Sequence, residues 1–108
     1  MQAAGVFGRL GYNATSIDDL VSATGLQRGS LYKAFGSKRN LFESVLRQAL
    51  LPGWHERAQS IDLLITALKD LAPEDVPLTA MCRAAVASCP EDVARLLGQR
   101  LLGPLTNS

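Results

Sequence analysis

Apolar residues recur at helical spacing along nearly the whole chain, and no stretch alternates with the period of two expected of a half-buried strand. Ala3, Phe7 and Leu10 share one face of a short opening segment. Gly5 and Gly8 weaken that segment, and Gly11-Tyr12-Asn13 ends it. Ile17, Leu20 and Val21 form the next apolar face. Thr15 or Ser16 can cap this second helix, because Asp18 and Asp19 follow them at capping-box spacing. Gly25 stops the second helix by supplying a left-handed residue, and Leu26 is expected to plug the corner beyond it. A third helix is predicted from Arg28 to Phe35, anchored by Leu31 and Phe35 one turn apart and ended by Gly36. Ser37 caps a fourth that runs to about Leu51, with Leu41, Phe42, Val45, Leu46, Ala49 and Leu50 as a broad stripe, and Pro52-Gly53 closes it.

The second half continues the same periodicity. Ile61, Leu64, Ile65, Leu68 and Leu71 define a fifth helix, after which Ala72-Pro73 and Val76-Pro77 are expected to bracket a loop. Leu78, Met81, Cys82, Ala85 and Val86 define a sixth, ended by Pro90. Val93, Leu96, Leu97 and Leu101 define a seventh, opened by Pro90-Glu91-Asp92 and terminated by Gly103-Pro104. The fold class is therefore expected to be all-α. Residues 1–51 are expected to form one unit including the connecting fourth helix, and residues 52–108 a second, partial helical one.

Composition narrows the classes. A chain of 108 residues with 47% hydrophobic content and a net charge of +1 can bury one modest core and is not of disordered type. The small net charge hides an asymmetry. Through Leu51, Arg9, Arg28, Lys33, Lys38, Arg39 and Arg47 outnumber Asp18, Asp19 and Glu43. From Pro52 onward, acidic residues outnumber basic ones. A basic front half suits contact with a polyanion. No apolar run approaches the roughly 18 residues of a membrane span, and the opening MQAAGVFGRL lacks a signal peptide's basic n-region. Together with the closely spaced Cys82 and Cys89, this favours reduced thiols and a cytoplasmic location. No nucleophile–base pair, phosphate loop or metal cluster stands out, and His55 has no evident orienting partner, so neither an enzyme nor a cofactor is expected.

The most specific pattern is two short helices joined at Gly25. With Leu31 and Phe35 facing inward, Arg28, Ser30, Tyr32 and Lys33 are sent to the outer flanks of the second. That is the layout of a helix-turn-helix reader of DNA. Phe7 with Gly11-Tyr12, Thr15-Ser16-Ile17, Ala23-x-Gly25-Leu26, Gly29-Ser30-Leu31-Tyr32 with Phe35, Ser37-Lys38 and Leu41-Phe42 are joined in one segment. In these residues the first half of the chain closely resembles the DNA-binding domain of the tetracycline-repressor (TetR/AcrR) family. The resemblance implies a three-helix DNA-binding domain followed by a ligand-binding and dimerisation domain. Members commonly carry further residues before the first helix and longer C-terminal helices, so it also implies a truncated chain or one with segments absent.

The physics of such a reader assigns roles. Arg28 can pair bidentately with guanine, Gly29 lets the helix start approach the duplex, and Ser30 is short enough for a base or a phosphate. Tyr32 and Lys33 suit phosphates, as do Thr15 and Lys38 near helix N-termini. Gln27 stands where the family usually has a small capping hydroxyl, and either weakens the helix start or substitutes a longer amide contact. Each residue also has a plainer reading: solvated charges for Arg28, Lys33 and Lys38, half-buried packing for Tyr32, capping for Thr15, and close helix packing for Gly29.

The resemblance further implies a small-molecule pocket among the later helices. Trp54 and His55 could line one, although an aromatic anchor beside a surface imidazole is the plainer reading. Met81 and Cys82 are further candidates, each also readable as core. Cys82 and Cys89, about two turns apart, share a helix face and could sense oxidants, or serve as small buried hydrophobes. The resulting expectation is a ligand-responsive repressor, homodimeric on palindromic operator DNA and released by an unknown small-molecule inducer. The alternative is a truncated helical interaction protein that heterodimerises with a regulator and does not act on DNA alone.

Overall fold

A computed structural model describes residues 2–106 and is helical throughout, with no strand among the described residues. The elements are α1 (Gln2–Leu10), α2 (Ile17–Thr24), α3 (Arg28–Phe35), α4 (Lys38–Ala49), α5 (Ala58–Asp70), α6 (Val76–Ser88) and α7 (Val93–Thr106). A single 3-10 turn, Trp54–Glu56, separates α4 from α5.

Helix starts follow side-chain chemistry. The Ser16 hydroxyl accepts from the Asp19 N–H at 3.0 Å, and the Asp19 carboxylate accepts from the Ser16 N–H at 2.9 Å, a reciprocal capping box on α2. Ser37 accepts from the Asn40 N–H at 3.0 Å to open α4. Gly25 ends α2 at φ +74°, a conformation that would strain any residue with a Cβ.

Three expectations are corrected. Leu26 does not plug the corner; it is 41% exposed. Val76-Pro77 does not bound a loop but opens α6. A proline in the first helical turn lacks only an N–H that would be unpaired there, and the Asp75 carboxylate caps the helix by accepting from the Leu78 N–H at 3.1 Å. Gly103-Pro104 does not terminate α7, which continues through Pro104 to Thr106. Proline's fixed φ suits a helix, and the missing donor removes one bond in a final turn that is already weakly tied.

α5 lies at the centre, packed against α1, α4, α6 and α7, and it buries Leu63, Leu64 and Ala67. Its partners contribute Ala3 and Phe7 from α1, Leu41, Phe42 and Leu46 from α4, and Leu78 and Cys82 from α6. Leu20 and Leu31 bring α2 and α3 into the same cluster, and Trp54 wedges the α4–α5 connection at 2% exposure. One continuous core therefore crosses the Leu51–Pro52 junction. Phe42 meets the edges of Phe7 and Tyr12 with ring centroids at 5.0 and 5.4 Å. Offset and edge-on geometries of this kind are favoured by the ring quadrupoles.

Candidate nucleic-acid interface

α3 is two-sided, as its spacing predicts. Leu31 is 4% exposed and Phe35 packs partly buried against the core. Gln27, Arg28, Gly29, Ser30, Tyr32 and Lys33 are all solvent-exposed. The Gln27 side chain makes no capping bond, so the start of α3 is held by backbone alone, with the Leu31 N–H donating to the Gln27 carbonyl at 3.0 Å. Close packing does not account for Gly29: a Cβ there would meet nothing within 4 Å. The open space lies on the outward edge, where an approaching partner would come near the backbone. Lys33 has no ion-pair or hydrogen-bond partner among the described residues. Arg28 has one, forming an ion pair with Asp18 across the α2–α3 corner.

Two expected phosphate contacts are engaged inside the molecule. Thr15 is 1% exposed, and its hydroxyl donates to the Gly11 carbonyl at 2.6 Å. Lys38 Nζ donates to the carbonyls of Tyr12 and Thr15 at 3.1 and 3.0 Å and sits 4.3 Å from the Tyr12 ring centroid. Both residues thus fasten the α1–α2 turn instead of presenting polar groups outward. A lysine just past a serine cap reads as exposed in sequence; the carbonyls it binds lie 23 and 26 residues away.

Two further acidic sites, one a single carboxylate and the other a cluster, lie outside the residues that the sequence singles out. Asp70, at the end of α5, accepts from the Tyr12 and Asn13 N–H groups at 2.8 and 3.3 Å. The chain comes close there because Gly11 adopts φ +86°, and a Cβ at Gly11 would stand 3.2 Å from Asp70 Oδ2. Burial raises the pKa of Tyr12, with the Arg39 charge opposing the shift and Asp75 reinforcing it. The cluster joins α4 to α6. Arg39 donates from Nε and Nη2 to the two oxygens of Asp75 at 2.7 and 2.8 Å, and from Nη1 to Glu43 at 2.6 Å. Hydrogen bonds from Arg39, the largest influence on each, hold both carboxylates below their ordinary pKa range, while the Arg39 pKa is raised, chiefly by the Asp75 hydrogen bond. Aspartates at the end of one helix and the start of the next read as dipole and capping residues, so neither pairing carries a local signal.

The four expected ligand residues do not line the cleft between α1, α4 and α5. That cleft, of about 820 Å³, is lined by Ala4, Val45, Gln48, Arg57 and Leu63 among others, and by none of Trp54, His55, Met81 and Cys82. Trp54 is core, and His55 Nε2 lies 3.7 and 3.6 Å from Glu56 and Glu91. Met81 packs against the core from a partly buried position. Cys82 is buried, which raises its thiol pKa; Cys89 is partly buried, and both are free. The described residues hold no group of three or more potential metal ligands, and none of their helices is long and apolar enough to cross a membrane.

Residues 2–45 match the family described as bacterial regulatory proteins, tetR family. The chain is 38% identical over 79 residues to the uncharacterised HTH-type transcriptional regulator YezE of Bacillus subtilis (strain 168), covering 69% of this chain and 40% of that protein. It is 47% identical over 45 residues to the HTH-type transcriptional repressor ComR of Escherichia coli (strain K12), covering 42% of this chain and 21% of that protein. The chain thus spans less than half the length of the curated relatives it matches. No solved structure matches it significantly.

Proposed function

Through residues 2–45 the chain belongs to the tetR family of bacterial regulatory proteins, and on that footing we propose that it is a cytoplasmic repressor that binds a palindromic operator as a homodimer. One observation carries the reading: Leu31 and Phe35 are turned into the core while Arg28, Gly29, Ser30, Tyr32 and Lys33 are exposed to solvent on the outer flanks of α3. With α3 in a major groove, Arg28 and Ser30 at its start reach base edges, Gln27 reaches the flanking backbone, and Tyr32 and Lys33 fix register through phosphates. Thr15 and Lys38 serve this reader by holding the turn that leads into α2.

Release by a small molecule is the second part of the proposal. α5 holds the α1–α2 turn through Asp70, and α6 holds the start of α4 through Asp75 and Arg39. A ligand that favours a displaced α5 or α6 would therefore reposition α3, and its leverage equals its difference in affinity between the two arrangements. The test is selection of bound duplexes from a randomised pool, followed by titration of the recovered site with salt and with candidate inducers. A palindromic consensus supports the repressor reading, and the absence of any enriched sequence removes it. Affinity unchanged by every inducer would discard only the ligand-gated part.

A second reading rests on α7, where Leu101, Leu102 and Leu105 are 61%, 53% and 78% exposed. Under it the chain is a helical partner that heterodimerises with a longer regulator and does not act on DNA alone. Co-purification of such a regulator, with no duplex bound by the isolated chain, would favour it.

A further inference from the structure

Building on the DNA-reading function, we propose that Asp18 determines the base specificity of Arg28. Asp18 is the second residue of α2 and Arg28 the first of α3, so their ion pair spans the corner of the helix-turn-helix. Capping does not require Asp18, since the reciprocal bonds with Ser16 are made by Asp19. Nor does folding gain much from the pair, because the two side chains are 56% and 82% exposed and water screens them.

What the pair does is aim a guanidinium. Among the described residues Asp18 is the one partner of the Arg28 side chain, and the neighbouring Gln27 side chain makes no capping bond. Asp18 accepts from Nη2 alone, which leaves the other guanidinium donors available. A guanine contact needs two coplanar donors presented to O6 and N7. An arginine already drawn toward a carboxylate at the corner samples fewer rotamers and loses less freedom in making that contact. The carboxylate also acts against every other sequence. Its charge stands at a surface that faces phosphates, so it weakens binding to any duplex in which Arg28 does not find its guanine. Specificity then comes from one attractive and one repulsive element on adjoining helices.

The experiment uses the full chain, the duplex recovered by randomised selection, and the same duplex with the guanine opposite Arg28 replaced. Affinities of wild type, Asp18→Ala, Asp18→Asn, Arg28→Ala and the Asp18→Ala/Arg28→Ala double variant are measured at several salt concentrations. Asp18→Ala is expected to lower the preference for the guanine-bearing duplex about 5-fold or more, with binding to the replaced duplex becoming tighter. Asp18→Asn, which keeps an acceptor and drops the charge, should tighten the replaced duplex while losing less preference. The double variant should discriminate no worse than Arg28→Ala, since the aspartate acts through the arginine. Unchanged discrimination in Asp18→Ala, with Arg28→Ala losing it, overturns the role of Asp18 and leaves the DNA reading intact. Equal weakening on both duplexes with a lower melting temperature overturns it too, making Asp18 a helix-start residue only. Full discrimination retained by Arg28→Ala removes the DNA-reading role of Arg28 itself, and the present inference with it.

Discussion

The carboxylate of Asp70 accepts the backbone N–H of Tyr12 at 2.8 Å, joining positions 58 residues apart in sequence. That bond places the C-terminal end of the central helix against the turn that feeds the reading helices. Asp70→Ala should therefore leave two N–H groups without their acceptor and destabilise the fold by about 1–3 kcal/mol. Denaturant unfolding gives the stability change. Operator binding should weaken further than the unfolded fraction accounts for, because the turn is then free to shift. Affinity that follows the folded fraction alone would confine Asp70 to stability.

The Arg39 cluster predicts an acid-sensitive contribution. Asp75 and Glu43 have lowered pKa values in the folded state, chiefly through hydrogen bonds from Arg39. Their stabilisation is complete above the ordinary carboxylate range, near pH 4, and is lost as pH falls through the depressed folded values. Arg39→Ala should cost about 2 kcal/mol at neutral pH, and its deficit relative to wild type should shrink below about pH 4. Urea titrations at pH 7 and pH 3 measure both. A deficit of the same size at the two pH values would contradict the assignment.

Lys33 and Lys38 should separate cleanly, although both lie close to the reading edge in sequence. Lys33→Ala is expected to weaken all duplexes alike and to reduce the salt slope by about one ion, with stability unchanged within roughly 0.5 kcal/mol. Lys38→Ala should lower the melting temperature, since the Tyr12 and Thr15 carbonyls lose a charged donor, and should leave the salt slope as it was. The reverse pattern would return Lys38 to the phosphate contacts.

The two thiols should react unequally. Cys82 is 2% exposed with its pKa raised by burial, whereas Cys89 caps the end of α6 from a partly buried position. Alkylation under native conditions, followed by mass spectrometry, should label Cys89 first and Cys82 only on opening of the core. Faster labelling of Cys82 would reopen its reading as a sensor.

Much of the architecture was readable from local pattern. The α2 start is legible as Thr15 or Ser16 with an aspartate three residues on, and the α4 start as Ser37, because a cap is a contact made within one turn; the structure selects Ser16 with Asp19. The two-sidedness of α3 was equally visible, since Leu31 and Phe35 lie one turn apart and a helix has a single period. Misreadings came where a local rule met a neighbour. Pro77 and Pro104 read locally as breaks, yet one occupies a first turn that needs no donor and the other a last turn that loses little without one. Leu26 looked like corner packing, but the corner is closed by the left-handed Gly25, whose N–H bonds to the Val21 carbonyl at 2.9 Å.

Helix count, the serine-capped starts of α2 and α4 and the outward edge of α3 thus follow from spacings of three to five residues, and such spacings are written in the chain itself. The partners of charged side chains do not follow from them. Lys38 was turned inward by carbonyls 23 and 26 residues away, Asp70 was claimed by the N–H of Tyr12, and Arg39 by Asp75, 36 residues on. A long flexible side chain reaches whatever packing brings within a few ångströms, so its role depends on how α5 and α6 dock against the rest, which no local spacing encodes.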